Sequence, residues 1–235
     1  MEEIINENEQ LDNSNLIFRT IRREIINLQI PPGKQISESE ICERFKVSRT
    51  PVRTAFQRLS DINLLKIIPY RGIHVSLINF HQLKQMIYMR IAIESKVIRD
   101  FIDCYDALIF EKLRYYLRKQ EIQVKNACTA TEFYNEDAAF HYIWFKTVDK
   151  VFLWRKIQHA QVHYTRFRML DMTGIGDFDA IVKEHNQILS IIENKQKDAV
   201  EPFLTDHLNG GIKRLGNKIN KEFANYFEPD PAHDK

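Results

Sequence analysis

Asp137 and His141 stand four residues apart in a helical pattern, and two later helical patterns carry His185 and His207. Side chains at that spacing share one helix face, here with Tyr134, Ala138, Phe145 and Val148. His185 falls on the apolar stripe of Ile181, Ile188, Leu189 and Ile192, and His207 on that of Val200, Phe203, Leu204 and Gly211. Three helices thus aim an imidazole at the interior, and one adds a carboxylate. Such a nitrogen-rich set suits Zn²⁺, Ni²⁺ or a similar borderline divalent metal, with room for a ligand oxygen. The plainer alternative is a set of separate core histidines, each satisfied by its own hydrogen bond. His159 and His163, on the intervening helix, compete as ligands, whereas His74, His81 and His233 read as surface or wing residues.

Arg90 is the next unusual placement. It shares a stripe with Leu83, Ile87, Glu94, Val97 and Phe101, so a cation and an acid four apart lie within an apolar face. One reading is a buried pair that fixes packing. In the other, Arg90 forks onto the carboxylate of a small organic acid whose remaining oxygens reach the metal.

A different chemistry is written in Val47–Leu59, VSRTPVRTAFQRL. Val52, Ala55, Phe56 and Leu59 form one apolar face, Pro51 fits a first helical turn, and Ser48 or Thr50 supplies the cap. Thr50, Arg53 and Gln57 then share the polar face, flanked by Arg49 and Arg58. A helix of this kind can enter a DNA major groove by its N-terminal end. The planar guanidinium matches the O6/N7 acceptors of guanine, which makes Arg49 and Arg53 the expected base readers. Ser48 and Thr50 suit phosphate oxygens. Downstream, LLKII and IHVSL flank Pro69-Tyr70-Arg71-Gly72, a hairpin that puts Arg71 and Gly72 at a wing tip.

The elements that must hold these residues follow from punctuation. A stripe of Ile17, Ile21, Ile25 and Leu28 precedes Pro31-Pro32-Gly33, and Ser37-Glu38-Ser39-Glu40 opens a second helix with a capping box. Asn63 can take the left-handed conformation that stops the third. Helix, helix, tight turn, helix and hairpin describe a winged helix-turn-helix over residues 14–78, behind an acidic tail at 1–13 expected to be flexible. Beyond residue 79 come six helical patterns, near 80–103, 106–126, 130–148, 151–170, 178–194 and 196–224, with residues 171–176 the clearest loop. The fold class is therefore mostly α, a winged helix-turn-helix followed by an all-α six-helix bundle over 79–235.

Charge divides the same way. The chain carries a net +2 in total, but residues 14–78 hold eleven Lys/Arg against five Asp/Glu, so the front domain is the part suited to a polyanion. Three dispersed cysteines without CxxC spacing suit free thiols in a reducing compartment. The start MEEIINENEQ lacks a leader's basic and apolar regions, and no run is apolar enough for a membrane span, so a cytoplasmic protein is expected.

ISESEICERFKVSRTPVRTAFQRL followed by LLKIIPYRGIHV resembles the N-terminal domain of the GntR family of bacterial transcription regulators. The resemblance covers residues 15–78 and implies base contacts by Arg49 and Arg53 and a wing glycine at Gly72. Thr54 and Asn63 depart from it, standing where many members have Glu and Gly. Ser39 stands where some relatives carry a further DNA-contacting arginine. DAAFH, KEHNQIL and DHL similarly resemble the FCD effector domain of the FadR-like branch, whose metal ligands would fall on Asp137, His141, His185 and His207. IYMRIAIE (residues 87–94) resembles that domain's effector-contacting pattern at Arg90, and a count of six helices points to the VanR-type subgroup.

The expectation is a ligand-responsive regulator that binds operator DNA as a homodimer and takes a small carboxylate at a metal-assisted site. The alternative is a metalloenzyme whose Asp/His cluster activates water, although no HExxH-type glutamate is evident.

Overall fold

The computed structural model describes residues 2–229, with side chains from Asp12 onward. The chain divides into two compact units, and the division is not a simple cut. One unit holds residues up to Phe80 together with residues from Ile219 on; the other is His81–Lys218.

In the first unit, α1 (Glu2–Ile26) buries Ile17, Ile21 and Ile25 of the predicted stripe and packs on the third helix, whereas Leu28 falls past the helix end at φ +59° and is only half-buried. The helix begins inside the acidic segment expected to be a flexible tail, because no Gly or Pro interrupts residues 2–26 and acids suit a helix start. A two-residue strand, β1 (Gln35–Ile36), follows. α2 (Glu38–Phe45) is capped by Ser37, whose side chain accepts from the Glu40 N–H, and ends at Lys46 in the left-handed region. α3 (Arg49–Asp61) buries Pro51, Val52, Ala55, Phe56 and Leu59. Asn63, at φ +58°, makes the expected left-handed stop.

β2 (Leu65–Ile68) and β3 (Gly72–Val75) form the predicted hairpin, and β1 adds to it antiparallel in the order β1-β3-β2. The sequence pattern missed β1 because two residues carry no alternation. Gly72 has φ +94°, and a Cβ on it would lie 2.7 Å from Nε2 of Gln35. The wing thus needs glycine for its turn and for the close passage of β1.

The domain limits set by sequence are corrected at the C-terminus. Ile78 is fully buried and its backbone needs partners. It donates to Tyr226 O at 2.8 Å and accepts from Glu228 N at 3.0 Å. Phe227 sits edge-on to Phe80. The last described residues therefore complete the winged unit, although sequence reading assigned them to the helical body.

The second unit is all-helical: α4 (Phe80–Cys104), α5 (Ala107–Lys125), α6 (Ala130–Thr147), α7 (Val151–Ala160), α8 (Val162–Gly174), α9 (Phe178–Glu193) and α10 (Val200–Leu215). Caps define its starts: Asp106 accepts from Ile109 N, Thr129 and Glu132 form a reciprocal box, and Asp177 accepts from Ala180 N. The six predicted stretches are present, with one broken in two. The helix expected over 151–170 turns at buried Gln161, so this unit has seven α-helices among the described residues, and helix count no longer argues for a six-helix subgroup. α8 also continues through Asp171, predicted as loop, because that carboxylate is buried against Arg214. The helix predicted over 196–224 is shorter, since Gly216 at φ +47° ends α10. A core of Phe101, Phe110, Phe133, Phe140, Trp144 and Phe145 with aliphatic neighbours fills the bundle.

Candidate functional site

His141, His185 and His207 come from α6, α9 and α10 and meet in the interior. Their ring centroids stand 5.5, 5.4 and 5.2 Å apart, and one ring nitrogen from each lies within 4.8 Å of the others. Packing holds each ring on an aromatic neighbour: His185 stacks on Phe140, His207 on Phe203, and His141 meets the Trp144 edge. Separate, individually satisfied core histidines are not what the fold builds.

The hydrogen bonds give the cluster a direction. Nδ1 of His141 meets Glu94 Oε2 at 2.9 Å, that of His185 meets Gln120 Oε1 at 2.6 Å, and that of His207 meets Glu184 Oε2 at 2.6 Å. Each outer partner accepts, so Nδ1 carries the proton and Nε2 presents a lone pair. All three Nε2 atoms are buried without a hydrogen-bond partner. An orphaned buried acceptor is costly, and three facing one another are an arrangement that a cation satisfies. Burial lowers the His185 and His207 pKa values, against the opposing pull of Asp137 and of Glu184, so the neutral, metal-binding form is favoured.

Asp137 stands beside the histidines rather than among them. Its Oδ1 is 3.5 Å from His185 Nε2 and accepts from Arg168 at 3.1 Å. Burial would raise its pKa, but the positive charge of Arg168 outweighs that and holds it below the usual carboxylate range. The sequence-predicted competitors drop out: His159 is exposed, Nδ1 of His163 faces Arg166 at 3.0 Å, and neither belongs to the cluster of ring nitrogens. His81 is exposed and His74 is half-buried in β3, whereas His233 lies outside the described residues.

Arg90 is only 4% exposed and gives its Nε–H to Glu94 Oε1 at 2.5 Å, with its guanidinium over the Tyr164 ring. Glu94 in turn holds His141, so Arg90, Glu94 and His141 form one chain of contacts. Burial opposes the Glu94 charge, yet Arg90 and His141 bring its pKa down to about 2. The buried-pair reading of Arg90 is therefore realised. The hydrogen bond from Arg90 to Glu94 uses Nε, not the terminal Nη groups.

Sequence reasoning missed the outer partners Gln120 and Glu184. Gln120 had a signal, a polar residue in step with Leu113 and Leu117 on a buried stripe. Glu184 had none. It also receives Arg214 Nη1 at 3.3 Å, and Arg214 grips Asp171 with Nε and Nη2. A cavity of about 300 Å³ bordered by Glu184, His207, Lys213 and Arg214 opens beside this network.

On the winged unit, Ser48, Arg49, Thr50, Arg53 and Gln57 are all exposed at the start and outer face of α3, and Arg71 is exposed at the wing tip beside Gly72. Ser48 is the cap position, but its hydroxyl makes no capping bond. Arg58 turns inward instead, to Asn15 at 2.8 Å and over the Phe18 ring.

Comparison with known proteins agrees with this division. Residues 13–75 match the model of bacterial regulatory proteins of the gntR family, and residues 85–210 match the FCD domain. The HTH-type transcriptional repressor RspR of Escherichia coli is 29% identical over 214 residues, 91% of this chain and 93% of that protein. Among solved structures, E. coli McbR/YncC superposes with a TM-score of 0.68 at 17% identity, over 88% of this chain and 98% of its own. A GntR transcriptional regulator from Rhodococcus sp. RHA1 gives 0.65 at 19%, over 87% and 98%. These structural likenesses concern the fold. The gntR model describes bacterial regulatory proteins and the curated relatives are transcription regulators, so the alternative of a metalloenzyme is set aside. No helix among the described residues is long and apolar enough to cross a membrane.

Proposed function

We propose, for a chain that belongs to the FCD-domain regulators of the GntR family, that transcription is controlled by a metal-assisted response to a small carboxylate. A homodimer would set two winged units on a two-fold operator in the bacterial cytoplasm. The observation that carries the metal is the trio of inward Nε2 atoms, each fixed from behind by Glu94, Gln120 or Glu184.

His141, His185 and His207 would hold a divalent ion such as Zn²⁺ or Ni²⁺, and Asp137 is within reach as a further oxygen ligand. When bound, such an ion supplies Lewis acidity and coordination positions for effector oxygens. The chain's own residues supply the rest. Glu94 orients His141 and at the same time holds Arg90 by its Nε, and the planar fork of the Arg90 guanidinium suits an effector carboxylate. An effector shifts operator affinity only by its differential affinity for the two arrangements of the dimer.

At the DNA, Arg49 and Arg53 would read guanine edges. Ser48, Thr50 and Gln57 would fix the register, and Arg71 with Gly72 would track the backbone beside it. The test is Zn²⁺ or Ni²⁺ titration of metal-free protein by calorimetry, with native mass spectrometry for a retained acid. One ion per chain, lost in His141→Ala, is expected. A wild-type protein that takes up neither ion would sink the reading.

A further inference from the structure

The guanidinium of Arg53 is not free in the winged unit. Its Nε–H is shared by both carboxylate oxygens of Glu38, at 2.9 and 3.0 Å. Glu38 is the first residue of α2 and Arg53 lies one turn into α3, so the contact bridges the two helices of the helix-turn-helix. The Arg53 side chain keeps 66% exposure, whereas that of Glu38 is 25% exposed. The acid is thus the seated partner and the arginine projects beyond it.

We infer that Glu38 is a positioning residue for DNA reading, one that aims Arg53 at the base edge and sharpens discrimination between specific and non-specific duplex. This rests on the reading of Arg53 as a base contact. Nε–H is one of five donors of the guanidinium, and its use by Glu38 leaves the four Nη hydrogens as a planar outward fork. That fork is the part that matches the O6/N7 acceptors of guanine. An unsupported arginine must give up rotamer freedom when it reaches the groove, and a side chain already held from behind gives up less. As an exposed ion pair the contact contributes little to stability, so its effect lies in orientation. Its charge acts in the same sense. A carboxylate beside the reading face repels phosphates, which weakens contacts that do not engage Arg53 with a base.

The experiment uses the full-length protein and a duplex selected from a random library by the wild type, with a scrambled duplex of equal length. Fluorescence anisotropy gives the ratio of the two affinities for wild type, Glu38→Ala, Glu38→Asp, Arg53→Ala and the double variant Glu38→Ala/Arg53→Ala. Glu38→Ala is expected to lower the ratio about tenfold, with non-specific binding unchanged or tighter. Glu38→Asp keeps a negative charge at the start of α2 but withdraws the carboxylate from Arg53, so it should lower the ratio equally while thermal stability holds. The double variant should be no worse than Arg53→Ala alone, the mark of two residues acting as one. The inference is overturned if Glu38→Asp discriminates as wild type does, which would make Glu38 a helix-start charge. It is also overturned if the two alanine effects simply add. Should Arg53→Ala itself leave the selected duplex's affinity unchanged, the reading-helix assignment fails, and that outcome is distinct from the other two.

Discussion

The outer face of α3 and the histidine centre are built on opposite plans. The α3 face is a row of exposed side chains on one helix, and Arg53 is steadied by a single contact from α2. The centre draws residues from α4, α5, α6, α9 and α10, almost all buried, each imidazole held from behind by another helix. An exposed face is specified by the phase of one helix. A buried centre is specified by how several helices meet, and its polar groups must be satisfied together or not at all.

The plainest way to break that contrast is to remove one imidazole. With Zn²⁺ at a thousandfold excess over its dissociation constant, the wild-type bundle should gain about 4 kcal/mol of stability. His185→Ala should show no metal-dependent rise in melting temperature by scanning fluorimetry. A preserved rise would mean that the trio is not the site.

The next effect is smaller and concerns the residues behind the ring nitrogens. Gln120→Ala or Glu184→Ala should weaken metal affinity by roughly 10–100-fold without abolishing it. Competition against a chelating dye would measure this, and wild-type affinity in both variants would reduce these partners to packing. On the exposed face, Arg49→Ala or Arg53→Ala should each cost about 1–3 kcal/mol of sequence discrimination in a gel-shift titration. Metal affinity should not change in either. Coupling between those two readouts in metal-saturated protein would show that the plans are not independent.

The smallest effect is expected at Gly72. Alanine there meets the positive φ and the Gln35 amide, so Gly72→Ala should lower the stability of the winged unit by about 1 kcal/mol. Chemical denaturation followed separately for the two units would register it, and an unchanged midpoint would show that β1 yields instead.

How much of this was legible in the sequence follows the same contrast. The face of α3, its proline, the Asn63 stop and the hairpin were all readable, because each rests on local spacing or on one residue's backbone preference. The three histidines were readable as inward-facing, and their meeting was an expectation. Glu94 was visible only as the mate of Arg90; that its second oxygen holds His141 depends on the packing of α4 against α6. Gln120 and Glu184 gave no pairing signal, since their partners lie 65 and 23 residues away. The break at Gln161 left no Gly or Pro to mark it. The two-residue strand β1 and the return of the C-terminus to Ile78 are likewise set by tertiary pairing alone.

That return has a consequence for the order in which the molecule can be finished. A ribosome delivers residues 1–80 first, and a winged domain of this kind would ordinarily be free to close as soon as it emerged. Here the buried backbone of Ile78 has its partners at Tyr226 and Glu228. The helical body His81–Lys218 is therefore an insertion within the winged unit's chain, and the first unit begun is the last completed. A nascent or prematurely terminated chain that ends before residue 226 carries a winged unit whose seam is still open, so that unit is whole only when the helical body has already been made.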